Sequence, residues 1–120
     1  MKKYPKPLRT KIEALTIDVL GFPYHVRFVE NMIKKFNLSG CANVWGSEIE
    51  IDPDISNLDI FASIFHEIIE VMLRKTETKF EHEIVSRFET FLMMILIRNP
   101  ELVELALEVA KKEGKSLKNS

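Results

Sequence analysis

One stretch constrains this chain more than any other: the run from Ile60 to Leu73, Ile-Phe-Ala-Ser-Ile-Phe-His-Glu-Ile-Ile-Glu-Val-Met-Leu. Ile60, Ile64, Ile68, Val71 and Met72 recur at the spacing of one helix face, and Phe61, Phe65 and Ile69 widen the arc. A helix apolar over so much of its circumference needs cover on most sides, so the rest of the chain must wrap it. Set into this arc are one imidazole and two carboxylates. His66 and Glu70, four residues apart, project side by side at its rim, where a cleft falls. Both are ligands for a divalent ion such as zinc. Glu67 lies about 100° around the helix from His66, where a zinc hydrolase keeps the carboxylate that takes a proton from water. The pattern departs from the H-E-x-x-H signature by one letter. Glutamate at the second ligand position still binds metal but adds a negative charge.

The 120-residue chain is long enough to bury a core without disulfides. Its composition predicts an arm over 1–10, one domain over 11–110 and a charged tail over 111–120. Lys and Arg total 17 against 18 for Asp and Glu, which gives no electrostatic case for a nucleic-acid or membrane-surface partner. Cys41 is the only cysteine, so no disulfide closes within the chain. The basic start, Met1 to Pro7, leads into no signal-peptide apolar region. The longest apolar run, around Phe91 to Ile97, is too short to span a bilayer. A cytoplasmic protein is expected.

Pro5 and Pro7 predict an extended arm over the first seven residues. From Lys11 to Leu20 two patterns overlap. Leu8, Ile12, Leu15 and Val19 fit a helical stripe, and Leu15 to Val19 alternates as a strand, favoured by its β-branched residues. Gly21-Phe22-Pro23 reads as a turn into Tyr24 to Val29, which pairs back as a hairpin. A short helix over Glu30 to Asn37 turns Met32, Ile33 and Phe36 inward and ends at Gly40. Cys41 to Trp45 and Glu48 to Asp52 form a second hairpin with Trp45 as its packing anchor. The half-polar last strand, with Glu48, Glu50 and Asp52 on one side, is placed at a sheet edge. Ser56, Asn57 or Asp59 caps the central helix, which runs from about Asp59 to Lys75. A second helix, about Lys79 to Arg98, turns Phe80, Ile84, Phe88, Phe91 and Ile95 inward. Its apolar run around Phe91 is core or a dimer face. Pro100 opens a third helix that frays from Lys111.

His82 and Glu89, seven apart on the second helix, return to nearly the same angle. Antiparallel pairing of the two helices brings them to His66 and Glu70. Two imidazoles and a carboxylate are a known catalytic zinc set. Glu89 reads as a fourth ligand, an orienting neighbour or a salt-bridge partner. Cys41 reads as a small buried residue and His25 as the outer face of a strand.

Tyr24-His25-Val26-Arg27-Phe28-Val29, Gly40-Cys41-Ala42, Glu48 to Asp54, Phe65 to Glu70, His82 with Glu89, and Asn99-Pro100-Glu101-Leu102 together form an ordered set. That set resembles the small zincin-like metallopeptidase proteins of bacteriophages and prophages, relatives of the gluzincin peptidases that cleave phage-type repressors. The likeness covers about Gly21 to Leu102. It implies an α+β fold, a small antiparallel or mixed sheet packed against an active-site helix and two further helices. It implies His66 and Glu70 as ligands, Glu67 as general base, and His82 as third ligand with Glu89 as the alternative. Zinc is the implied metal, and manganese or iron suits a carboxylate-rich set nearly as well. By the same likeness the edge strand Glu48 to Asp52 holds an extended peptide, and Tyr24 and His25 are the candidates for an oxyanion donor.

Two function classes follow. One is a zinc-dependent hydrolase, foremost a peptidase. The other is a catalytically degenerate zincin-fold binding protein of phage or prophage kind, with structural metal or none. A chain whose polar residues merely pair with one another is the third outcome.

Overall fold

The computed structural model describes residues 6–118, which fall into two compact units divided between Glu89 and Thr90. The fold class is α+β. The first helix, α1 (Lys6–Glu13), begins inside the stretch expected to be extended; Met1 to Pro5 lie outside the described residues. Pro7 is tolerated there because first-turn amides have no intrahelical acceptor to lose. Both patterns seen between Lys11 and Leu20 are real, each over its own half. Ile12 on α1 is buried, and β1 (Ile17–Val19) follows.

β1 pairs antiparallel with β2 (Phe22–Phe28), Ile17 opposite Tyr24. The turn is Leu20-Gly21, one residue earlier than expected, so Phe22 and Pro23 already belong to the strand. Both turn residues have positive φ, which suits the twist of a two-residue hairpin, and Asp18 Oδ1 accepts from Gly21 N at 2.7 Å. After α2 (Met32–Phe36) come β3 (Gly40–Asn43) and β4 (Glu48–Ile51), an antiparallel pair. Only Met32 of the three apolar α2 residues turns inward; Ile33 and Phe36 are exposed.

The strand order is β1-β2-β4-β3, with β2 and β4 parallel. β4 is therefore an inner strand, which corrects its expected edge position, and the edges are β1 and β3. Alternation in β4 was correctly read for Glu48 and Glu50, which share the wet face with Arg27. It reports which face of a sheet meets water, and says nothing about which side of the strand lacks a neighbour. Trp45 is a second correction. It stands at the tip of the β3–β4 turn, fully exposed, and anchors nothing.

α3 (Asn57–Lys75) starts two residues earlier than expected, and Ser56 is its cap: Ser56 Oγ accepts from Asp59 N at 3.1 Å. No residue from Ile60 to Leu73 is exposed, as the wide apolar arc requires. Ile60, Ile64 and Val71 close the core with Val19, Tyr24, Val26, Ile49 and Ile51. A Cβ on Gly40 would stand 2.9 Å from Ile51 Cδ1 and 3.2 Å from Glu50 O, so glycine leaves room for the Ile51 side chain of the paired strand.

α4 (His82–Arg98) is rotated from its expected setting. Val85 and Met93 are its buried residues, whereas Ile84, Phe88, Phe91 and Ile95 are exposed and Phe80 precedes the helix. Val85, buried in the first half of the helix, stands one turn before Glu89 on the same face. α5 (Pro100–Lys118) opens on Pro100 as expected and continues through Lys111 rather than fraying there. Among the described residues no helix is long and apolar enough to cross a membrane.

Candidate metal centre

α3 and the first two turns of α4 bring His66, Glu70 and His82 together. One donor atom from each lies within 4.8 Å of the others. Glu70 is the hub. Its Oε2 is 3.6 Å from His66 Nε2 and its Oε1 is 3.1 Å from His82 Nδ1. Two donors on a tetrahedral zinc with bonds of about 2.0–2.1 Å stand about 3.3 Å apart. These two contacts use different oxygens of Glu70, and with one donor atom per residue the three atoms span up to 4.8 Å, so the set suits a divalent ion by chemistry and would have to draw closer to hold one. The two imidazole centroids are 4.8 Å apart with planes tilted by 59°.

Glu89 stands behind His66 rather than beside the three donors. Its Oε1 accepts from His66 Nδ1 at 2.8 Å. A proton fixed on Nδ1 leaves Nε2 with its lone pair toward Glu70 and His82, the arrangement by which a carboxylate orients a ligating histidine. The seven-residue spacing of His82 and Glu89 thus brings both to the site, in different roles.

Glu67 lines the same recess as His66, His82, Glu89, Ser63 and Gly40, a hollow of about 240 Å³. It is buried, and burial raises its carboxyl above the usual carboxylate range, with the neighbouring Glu70 charge adding to the rise. The imidazoles of His66 and His82 and the charge of Arg74 oppose it only in part. Glu67 accepts no hydrogen bond among the described residues. A smaller hollow of about 120 Å³ beside Arg9, Lys34 and Asp52 offers no imidazole, and Asp52 there is already satisfied by two amides.

His82 is the outermost donor, its side chain 72% exposed, while His66 and Glu70 are buried. Solvent therefore reaches the cluster from the α4 side. Ser63, Ser39 and the Asn37 to Gly40 segment complete the recess, with Ser39 Oγ and Ser63 Oγ 3.3 Å apart. The sequence carried a signal for Ser63, which lies three residues before His66 on the same strip. Nothing local marked Ser39.

The two oxyanion candidates are not at the site. Tyr24 is wholly buried in the core, and His25 Nδ1 donates to Leu15 O at 3.2 Å across the first hairpin. Cys41 is neither ligand nor nucleophile in this setting. Burial, with a hydrogen bond to Glu50 at 3.4 Å, pushes its thiol to about 11.

No family model, curated protein or solved structure matches the chain.

Proposed function

We propose that this protein is a metal-dependent hydrolase, foremost a peptidase, related to the phage zincin-like proteins it resembles in sequence. The carrying observation is the convergence of His66 Nε2, Glu70 and His82 Nδ1, with Glu67 buried beside them. Zinc fits this set of two imidazoles and one carboxylate best, with manganese or iron next. Such an ion, when bound, supplies a Lewis acid for a scissile carbonyl and makes water easier to ionise.

The chain's own part is threefold. Glu89 holds His66 in one tautomer. Glu70 joins the two imidazoles and offsets positive charge at the centre. Glu67 takes a proton on its carboxylate and returns it to the leaving amine, and its raised proton affinity makes it a stronger base than a solvated glutamate.

A peptide is favoured as substrate because β3 is an open edge next to the recess, and Gly40 belongs to both. Asp52 N bonds Ser39 O at 2.8 Å, and by antiparallel alternation the main-chain groups of Gly40 and Ala42 then face away from β4. They are placed to accept an extended chain by strand addition. The expected shelf, Glu48 to Asp52, is paired on both sides and cannot serve.

The test is direct. Metal-free protein titrated with zinc should take up one equivalent by calorimetry, and Glu70→Ala should abolish that uptake. No uptake by the wild-type chain removes the proposal. A non-catalytic binding scaffold is favoured by one observation: Glu70–His82 and Glu89–His66 already hydrogen-bond to each other. On that reading zinc uptake persists in the Glu67→Gln variant and no peptide is cut by either protein.

A further inference from the structure

The donor set is too wide for the ion it suits. One atom from each of His66, Glu70 and His82 gives a span of up to 4.8 Å, whereas donors on a tetrahedral zinc stand about 3.3 Å apart. Closing the set requires a donor to move, and the three are not equally free. His66 is buried, with Nδ1 tied to Glu89 Oε1 at 2.8 Å. Glu70 is buried one turn further along the same helix. His82 is the first residue of α4, and its side chain is 72% exposed.

The chain on either side of His82 is as open as His82 itself. Thr76 to Lys79 is exposed at every position, and so is Glu81 to Ile84, with Phe80 half-buried between them. Val85, wholly buried, is where α4 takes hold, and Glu89 fastens the following turn to His66. A segment with so few buried contacts opens at little free-energy cost. Reading the cluster as a metal centre, we propose that metal loading closes this segment. His66 and Glu70 receive the ion first, and His82 follows, drawing the start of α4 onto α3. The exposed turn is then the route by which metal enters and leaves, and its opening and the occupancy of the site are coupled.

Trypsin reads the segment, because Lys79 is exposed three residues before His82. Where reclosing outruns cleavage, the cutting rate follows the population of the open form. Saturating zinc should slow cutting between Lys79 and Phe80 in the full chain by about tenfold or more. By reciprocity, His82→Ala should weaken zinc uptake by a similar factor in calorimetry, and zinc should give this variant no protection. An unprotected His82→Ala also excludes an effect of zinc on trypsin itself. His82 is exposed, so the variant should keep the circular dichroism of the wild type. Zinc uptake with the wild-type cutting rate unchanged overturns the closure and leaves the metal centre standing. So does equal protection of His82→Ala. A wild-type chain that takes up no zinc removes both.

Discussion

Asp52 and Glu67 are two carboxylates of the same unit, 2% and 8% exposed, and they are treated in opposite ways. Asp52 accepts from Ile33 N at 3.0 Å through one oxygen and from Asp54 N at 2.9 Å through the other. It ties the start of α2 to the end of β4 and serves as structure. Glu67 receives no such donors. Buried near Glu70, its charged form is disfavoured, and a proton is held more tightly than in water. A buried acid with donors stabilises a fold, and one without them stores chemical potential at a site.

The contrast breaks most sharply at Glu67 in the metal-loaded chain. On the proposed hydrolase reading, Glu67→Gln should lower peptide hydrolysis by about 10²–10⁴-fold with metal content unchanged. Equal rates for variant and wild type would dismiss Glu67 as the base. Next in size is Asp52→Ala, which takes the acceptor from two part-buried amides and should cost about 1–3 kcal/mol in urea unfolding. Asp52→Asn keeps one carbonyl acceptor and should cost less. If both variants unfold like the wild type, Asp52 is not the tie described.

A smaller effect belongs to Glu89. Glu89→Ala should weaken zinc binding by roughly 10–100-fold, read by competition with a chromophoric chelator. Glu89→Gln, which retains an acceptor for His66 Nδ1, should recover part of the loss. An alanine variant that binds zinc like the wild type would leave Glu89 a bystander.

The smallest effect is one of pH. The folded Glu67 carboxyl titrates above its unfolded value, so between the two the native state holds more protons than the unfolded chain. This group's contribution to the stability of the metal-free chain therefore falls as pH rises through that window. Glu67→Gln should be the more stable protein at neutral pH and should lose its advantage in acid. Chemical unfolding at a series of pH values checks the sign, and a variant destabilised at neutral pH would reverse it.

Much of this was legible in the residues. The central helix was readable because its apolar repeat is long and its cap chemistry local. His66, Glu67 and Glu70 were readable because four-residue spacing fixes neighbours within one helix. His82 and Glu89 could be brought near the site by helix pairing but not sorted, since ligand and orienting neighbour differ only in which atom faces which. Trp45 and the inward face of α4 were misread because apolar character does not state which side has company. Asp52 was grouped with Glu48 and Glu50 because alternation puts it on their face. It lies just past the last residue of β4, where that alternation no longer holds.

Both hairpins and the strip of ionisable groups on α3 could be read from the residues, since these depend on contacts a few residues apart, and the α+β class agrees with what the family resemblance implies. It took the folded chain to show that β4 lies inside the sheet, that β3 is the open edge beside the recess, and that Glu89 stands behind His66. Those follow from pairings between segments distant along the chain, where many arrangements satisfy the same local pattern and packing selects one.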